Sequence, residues 1–132
     1  IYELMESIDH LFSEKKADDE SIKFSIIGRP NVGKSTIFNS MLGDSISIVD
    51  STPGTTRDSV DSKLNYNEDL FTIVDTAGIR RKGKIGKEIE YFSVIRTISS
   101  VSESNISLLV IDSTEQITLQ DQHIAGMGAL LQ

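Results

Sequence analysis

The stretch Gly28–Ser35, "GRPNVGKS", decides how the rest of this chain is read. Its spacing is a glycine, four residues, then Gly-Lys-Ser, with the apolar run "IKFSII" (22–27) before it and the helically periodic "KSTIFNSMLG" (34–43) after it. Gly28 and Gly33 permit backbone angles that other residues resist, so successive N–H groups can turn inward around an anion. Of Gly28, Arg29, Pro30, Asn31, Val32, Gly33, Lys34, Ser35 and Thr36, the proline donates nothing, and the useful donors run from Asn31 through Thr36. They stand at the positive end of the following helix, where the dipole alone favours an anion by about 0.3–1 kcal/mol. Lys34 adds a full charge suited to β and γ phosphates, and the Ser35 hydroxyl is a hard oxygen of the kind Mg²⁺ takes. The plainer reading is a glycine-rich strand-to-helix turn; a strand and a helix on the correct sides favour the phosphate cradle.

Further along, "DTAGIRRKG" (75–83) follows the apolar run "LFTIVD" (70–75). An aspartate ending an apolar strand beside a phosphate loop can hold Mg²⁺ through water, and the Gly78 N–H can meet a γ phosphate. Between the two stretches lies "STPGTTRD" (51–58), polar and glycine-bearing, which is expected to stay mobile until a ligand orders it. Strand-ending aspartates often cap turns, and Thr-Thr pairs in loops are commonly turn chemistry, so both take their meaning from the loop before them.

Apolar residues Ile1, Leu4, Met5, Ile8, Leu11 and Phe12 recur at helical spacing, and the charged "SEKKADDE" (13–20) after them reads as a connector. Residues 1–20 are therefore expected to be a helix and acidic linker from a preceding domain, and 21–132 a single domain. "VDSKLNY" (60–66) and "LFTIVD" suit an antiparallel hairpin. A helix is expected from about Glu88 to Val101, then a strand at "ISLLVID" (106–112), then a helix opening near Thr118, where Thr118 and Asp121 have the spacing of a capping box. Strands alternating with helices predict an α/β fold, and "GRPNVGKS" between strand and helix makes it one of the P-loop nucleoside triphosphatase type. The sheet is expected to be mostly parallel, covered by helices on both faces, with its ligand at the carboxyl ends of the strands.

Composition narrows the function classes. A net charge of −7 over 132 residues argues against binding nucleic acid with the whole surface, although a local basic cluster can still act. With no cysteine there are neither disulfides nor thiolate metal sites, which suits a reducing cytoplasm. The longest apolar run falls far short of the roughly 20 residues that span a bilayer, so a soluble protein without a membrane partner is expected.

Taken together, "GRPNVGKST", "PGTTRD" and "DTAGIRRKG" resemble the GTPase Der family, also called EngA, and within it the second of two tandem G domains. The resemblance covers nearly the whole chain. It implies that residues 21–132 are the N-terminal two-thirds of a Ras-like G domain, truncated before its guanine-reading motif, in a GTPase acting in assembly of the large ribosomal subunit. The implied partners are guanine nucleotide, the ribosomal subunit and its RNA, a neighbouring G domain and a KH-like domain. It also assigns Gly28 to Ser35 to the nucleotide phosphates of GTP or GDP, Ser35 and Thr56 to Mg²⁺, and Asp75, Thr76, Ala77, Gly78 and Ile79 to the γ-phosphate switch, with Asp75 near the metal. Asn31, Lys34, Thr56 and Gly78 are the residues it implies for catalysis. The family's Asn-Lys-x-Asp guanine-reading motif does not occur in these residues and is expected after Gln132. Phosphates are the same in ATP and GTP, so the choice of guanine rests on resemblance. Two alternatives stay open: the G domain of a tRNA-modification GTPase of the MnmE type, or a nucleotide-binding fragment inactive on its own.

Position 79 departs from Ras-type GTPases, which carry a water-orienting glutamine there, because isoleucine cannot hydrogen-bond a water. In related GTPases an asparagine at the place of Asn31 helps bind K⁺ together with switch carbonyls, which implies that K⁺ supplies the missing charge here. Asn31 can equally serve only to fix the loop turn. Arg80, Arg81, Lys82, Lys84 and Lys87 form a basic run beside the expected γ-phosphate sensor, either a contact for RNA or a neighbouring domain or a solvated loop. His10 and His123 lie in helical stretches without other ligands nearby and read as surface or structural.

Overall fold

The computed structural model describes residues 1–12, 21–43, 47–53, 60–76, 79 and 89–131. In chain order its elements are α1 (Tyr2–Phe12), β1 (Ile22–Ile27), α2 (Lys34–Gly43), β2 (Ser47–Pro53), β3 (Val60–Tyr66), β4 (Asp69–Ile73), α3 (Ile89–Ser102), β5 (Ile106–Leu109) and α4 (Leu119–Leu131). The strands form one sheet of order β2-β3-β4-β1-β5. β1 runs parallel to both neighbours, with Phe24 opposite Ile73 on one side and Ile106 on the other. The pairings of β2 with β3 and of β3 with β4 are antiparallel, so the α/β sheet is mixed.

Period-two alternation along β1 divides the core between two faces. Phe24 and Ile26 join Leu64, Phe71 and Ile73 from the neighbouring strands and Phe38 and Met41 from α2 in the larger cluster. Ile27 points into a second cluster with Val101 of α3 and Ile124 of α4. Ser25, fully buried, keeps its hydroxyl satisfied against Ser104 (3.1 Å) and Ser107 (2.9 Å). Each large apolar side chain buried this way contributes about 1.5–3 kcal/mol, so the sheet is held from both sides. The helix read as lying ahead of the domain also enters the larger cluster, through Met5 and Ile8, with Ile1 and Leu4 packed beside them. The acidic stretch 13–20 lies outside the described residues.

The expected hairpin is present and turns in two residues. Tyr66 pairs with Asp69, while Asn67 and Glu68 have φ of 49° and 72°. Two successive positive φ values mark a type I′ turn, whose twist matches that of the strands. β2 was not expected: the polar stretch assigned to a loop begins as strand, with Ser51, Thr52 and Pro53 opposite Ser62, Asp61 and Val60. Pro53 is tolerated because it ends a strand at the sheet edge. No described helix is long and apolar enough to cross a membrane.

Candidate functional site

Because β4, β1 and β5 are parallel neighbours, their carboxyl ends open on one side of the sheet. Three connections gather there: the loop after Ile27, the segment after Ile73 and the segment after Leu109. Backbone hydrogen bonds carry the pairing past the strand ends, from Val74 N–H to Phe24 O (2.9 Å) and from Val110 N–H to Ile27 O (2.9 Å). A crevice beyond the carboxyl ends of such strands is where α/β sheets hold ligands.

The first connection has the conformation that the glycines foretold. Gly28, Asn31 and Gly33 have φ of 147°, 65° and 105°, and α2 begins at Lys34. Alternation of positive and negative φ turns successive N–H groups toward one side, and the helix start adds its positive end. Asparagine tolerates the left-handed region better than most residues, which accounts for Asn31 at this place; its exposure leaves the side chain accessible. Gly28 is required by contact as well as by φ, since a Cβ there would stand 2.5 Å from the Val110 carbonyl oxygen. Lys34 folds back over the loop, its Nζ donating to the carbonyl oxygens of Gly28 (2.7 Å) and Arg29. The ammonium is thereby held to the backbone at the start of the loop.

The second connection carries Asp75 to Ile79. Asp75 has φ of 51°, its N–H donates to the Asp61 carboxylate (3.0 Å), and its buried Oδ1 lies 4.0 Å from Nη1 of Arg96 on α3. Thr76 is fully buried, its hydroxyl 3.0 Å from that of Ser62. Ile79 turns its side chain into the larger core cluster, and its carbonyl accepts a hydrogen bond from the Ser35 hydroxyl (3.0 Å). Only the backbone of Ile79 is thus available to a ligand. The structure therefore joins the loop serine to the expected switch segment. Thr55, Thr56, Ala77, Gly78 and the basic run 80–87 lie outside the described residues.

Mg²⁺ in phosphoryl-transfer sites is held by one or two protein oxygens plus substrate phosphates. The donor set fits that pattern: the Ser35 hydroxyl spends its hydrogen on Ile79 and keeps its lone pairs, and the Asp75 carboxylate is a second hard oxygen beside the same segment. Among the described residues no group of three His, Cys, Asp or Glu is arranged to hold a metal by itself.

The third connection contributes residues that sequence reading assigned elsewhere. The capping box at α4 is formed as expected: Asp121 N–H donates to the Thr118 hydroxyl (3.2 Å), and Thr118 N–H donates to Asp121 Oδ2 (2.9 Å). The other carboxylate oxygen of Asp121 accepts from Nε of Arg29 (2.8 Å), and Glu115 accepts from Nη2 of Arg29 (3.0 Å). The Thr118 N–H above all, with its hydroxyl and Arg29 adding to it, holds the Asp121 carboxyl below the ordinary range although burial opposes this. The hydrogen bond to Glu115, then that to Asp121, raises the Arg29 pKa further. Arg29 thus points its side chain away from the cradle and offers it only backbone. Arg96, Asp61 and Glu115 carried no motif; each is brought to the site by pairing across the fold. His10 and His123 are exposed on α1 and α4.

A family profile described as "50S ribosome-binding GTPase" matches residues 23–131. The chain is 50% identical over 131 residues to GTPase Der of Alkaliphilus metalliredigens, covering 97% of this chain and 30% of that protein. It is 48% identical over 114 residues to GTPase Der of Herpetosiphon aurantiacus, covering 86% of this chain and 25% of that protein. To GTPase Der of Clostridium perfringens it is 50% identical over 114 residues, with 86% and 26% covered. The chain therefore spans at most about 30% of the length of these relatives. With the phosphate cradle at the carboxyl ends of β1 and β4, and with these relatives, the chain belongs to the 50S ribosome-binding GTPase family, as a G domain of the GTPase Der kind.

Proposed function

We propose that this chain is the GTP-binding and slowly GTP-hydrolysing switch domain of a longer cytoplasmic protein that acts in assembly of the large ribosomal subunit, and that it is the second of two tandem G domains. The observation that carries the reading is the loop itself. Three positive φ values turn its N–H groups inward at a helix start, and two loop carbonyls hold the Lys34 ammonium to the same loop. Such a cradle favours a polyphosphate over a neutral ligand. Ser35 and Asp75, joined by Thr56, are the residues that would hold Mg²⁺, which when bound neutralises charge developing on the phosphate oxygens. Residues 75–79 respond to the γ phosphate through backbone N–H groups, Gly78 included. Guanine is selected outside these residues, and the domain's neighbours are a first G domain and a KH-like domain. The test is Lys34→Ala: it abolishes binding of ribose-labelled fluorescent GDP, and retention of wild-type affinity refutes the reading.

Hydrolysis proceeds without a side chain that orients water from position 79, because Ile79 is a core residue. Positioning and positive charge supply most of what phosphoryl transfer needs. Exposed Asn31 at the loop mouth supports K⁺, held there together with the segment 51–55, as the added charge. Turnover in KCl exceeds turnover in NaCl; equal rates remove the ion from the account. The basic run 80–87 is assigned to ribosomal RNA, and binding to ribosomal subunits that is indifferent to ionic strength would speak against those charges. If competition between ATP and GTP shows preference only in the longer protein, base selection lies beyond this chain.

A further inference from the structure

We propose that Arg29 is a positioning residue through which the connection from β5 to α4 sets the place of the phosphate-binding lysine. The idea rests on the reading of Gly28–Thr36 as a phosphate cradle. Lys34 does not find its own position: its Nζ is held by the carbonyls of Gly28 and Arg29. Those two carbonyls are in turn fixed by what their residues touch across the fold. Gly28 is seated against the Val110 carbonyl with no room for a Cβ. Arg29 is anchored by its guanidinium, with Nε on Asp121 and Nη2 on Glu115. Asp121 is a rigid anchor, 1% exposed, since its second oxygen closes the capping box of α4 with both the N–H and the hydroxyl of Thr118. A guanidinium held in a plane by two carboxylates fixes direction as well as distance, which an ammonium does not.

The chain of contacts is therefore α4 cap, Asp121, Arg29 side chain, Arg29 carbonyl, Lys34. Its elements are separated by 92 residues at the Arg29–Asp121 link, so the coupling exists only in the folded domain. A displacement of residues 110–121 would move the carbonyls that hold Lys34, and with them its grip on the β phosphate. The link thus offers a partner bound near Glu115, whose side chain is 57% exposed, a route to nucleotide release that touches no nucleotide contact.

The experiment is stopped-flow release of ribose-labelled fluorescent GDP from the full-length protein, its first G domain emptied by the corresponding lysine-to-alanine substitution, with Arg29→Ala, Arg29→Lys, Asp121→Asn, Glu115→Gln and the Arg29→Ala/Glu115→Gln pair, alongside thermal unfolding of each. Arg29→Ala speeds release about tenfold, and Glu115→Gln, an exposed change that leaves folding intact, speeds it about two- to threefold. The pair is no faster than Arg29→Ala alone, because both cut one link. Arg29→Lys falls between wild type and alanine. The ratio of GDP to GMP affinity drops in Arg29→Ala, since GMP lacks the β phosphate; a loss of structure alone would weaken both alike. Release rates within twofold of wild type for Arg29→Ala and Glu115→Gln, with Lys34→Ala still abolishing binding, overturn the proposal while leaving the cradle reading intact. Lys34→Ala with wild-type affinity overturns both.

Discussion

Replacing Gly28 by alanine separates the two reasons for glycine in the phosphate loop. Gly33 is the control: its φ of 105° is unfavourable for any L-residue, but a Cβ there meets nothing within 4 Å. Gly33→Ala therefore carries backbone strain alone, about 1–3 kcal/mol. At Gly28, φ of 147° adds similar strain, and the new Cβ would also stand 2.5 Å from the Val110 carbonyl oxygen and 3.2 Å from Val32 Cγ2. Val32 can rotate away. The Val110 backbone cannot, because its N–H donates to Ile27 O at 2.9 Å and its side chain packs against the core. Relief requires β5 and the loop to move apart by several tenths of an ångström, an overpacking cost of about 1–3 kcal/mol. The sum for Gly28→Ala is about 2–6 kcal/mol, and at roughly 4 °C per kcal/mol for a domain of this size it lowers Tm by about 8–24 °C. Gly33→Ala lowers it by about 4–12 °C on the same scale. Thermal unfolding followed by far-ultraviolet circular dichroism reads both. A Gly28→Ala protein that unfolds at or above the temperature of Gly33→Ala refutes the argument that the Val110 carbonyl, rather than φ alone, demands the glycine.

Three other outcomes follow from different parts of the fold. Glu68→Gly stabilises the domain by about 0.5 kcal/mol: removing a non-glycine residue from φ of 72° gains about 1–2 kcal/mol, offset by the greater freedom of glycine in the unfolded chain, and urea unfolding measures the difference. Ile79→Gln does not create a Ras-type catalyst; it places an amide in the core, costs about 1–3 kcal/mol of stability in urea unfolding, and leaves single-turnover hydrolysis no faster. Asp121 has its pKa lowered in the folded state, so its contribution is fully present above the ordinary aspartate value near 3.9 and is lost as pH falls below that value toward the folded pKa. Asp121→Asn accordingly flattens the fall of Tm with acid below about pH 4, and an unchanged acid limb would refute that assignment.

What could be read from the residues was local. "IKFSII" is β1 to the residue, "VDSKLNY" is β3, and Thr118 with Asp121 closes the cap that its spacing announced. These follow from alternation, turn chemistry and hydrogen bonds that span three residues. β2 was missed because Ser51, Thr52 and Pro53 look like turn residues; their strand conformation comes from the partner β3 and not from their own propensity. The phosphate loop was legible because its chemistry is carried by backbone and by one lysine at fixed spacing. Its supports were not, since Arg29 reaches Asp121 and Asp75 lies near Arg96 only after the sheet has brought distant segments together.

Ile79 shows how the same side chain that rules out one mechanism sets the energy scale of another. At 6% exposure it is part of the core, and its carbonyl holds the hydroxyl of Ser35. A rearrangement of residues 75–79 that withdraws this side chain exposes an isoleucine, at about 1.5–3 kcal/mol. That is the range in which a second state is populated to between about 0.1 and 10%, small enough to be silent and large enough for a ligand to select. A glutamine in this place would weaken the plug and remove the gap. On the proposed reading of residues 75–79 as a γ-phosphate switch, isoleucine here gives up a water-orienting amide for a threshold that the phosphate must exceed, which suits a slow switch better than a fast hydrolase.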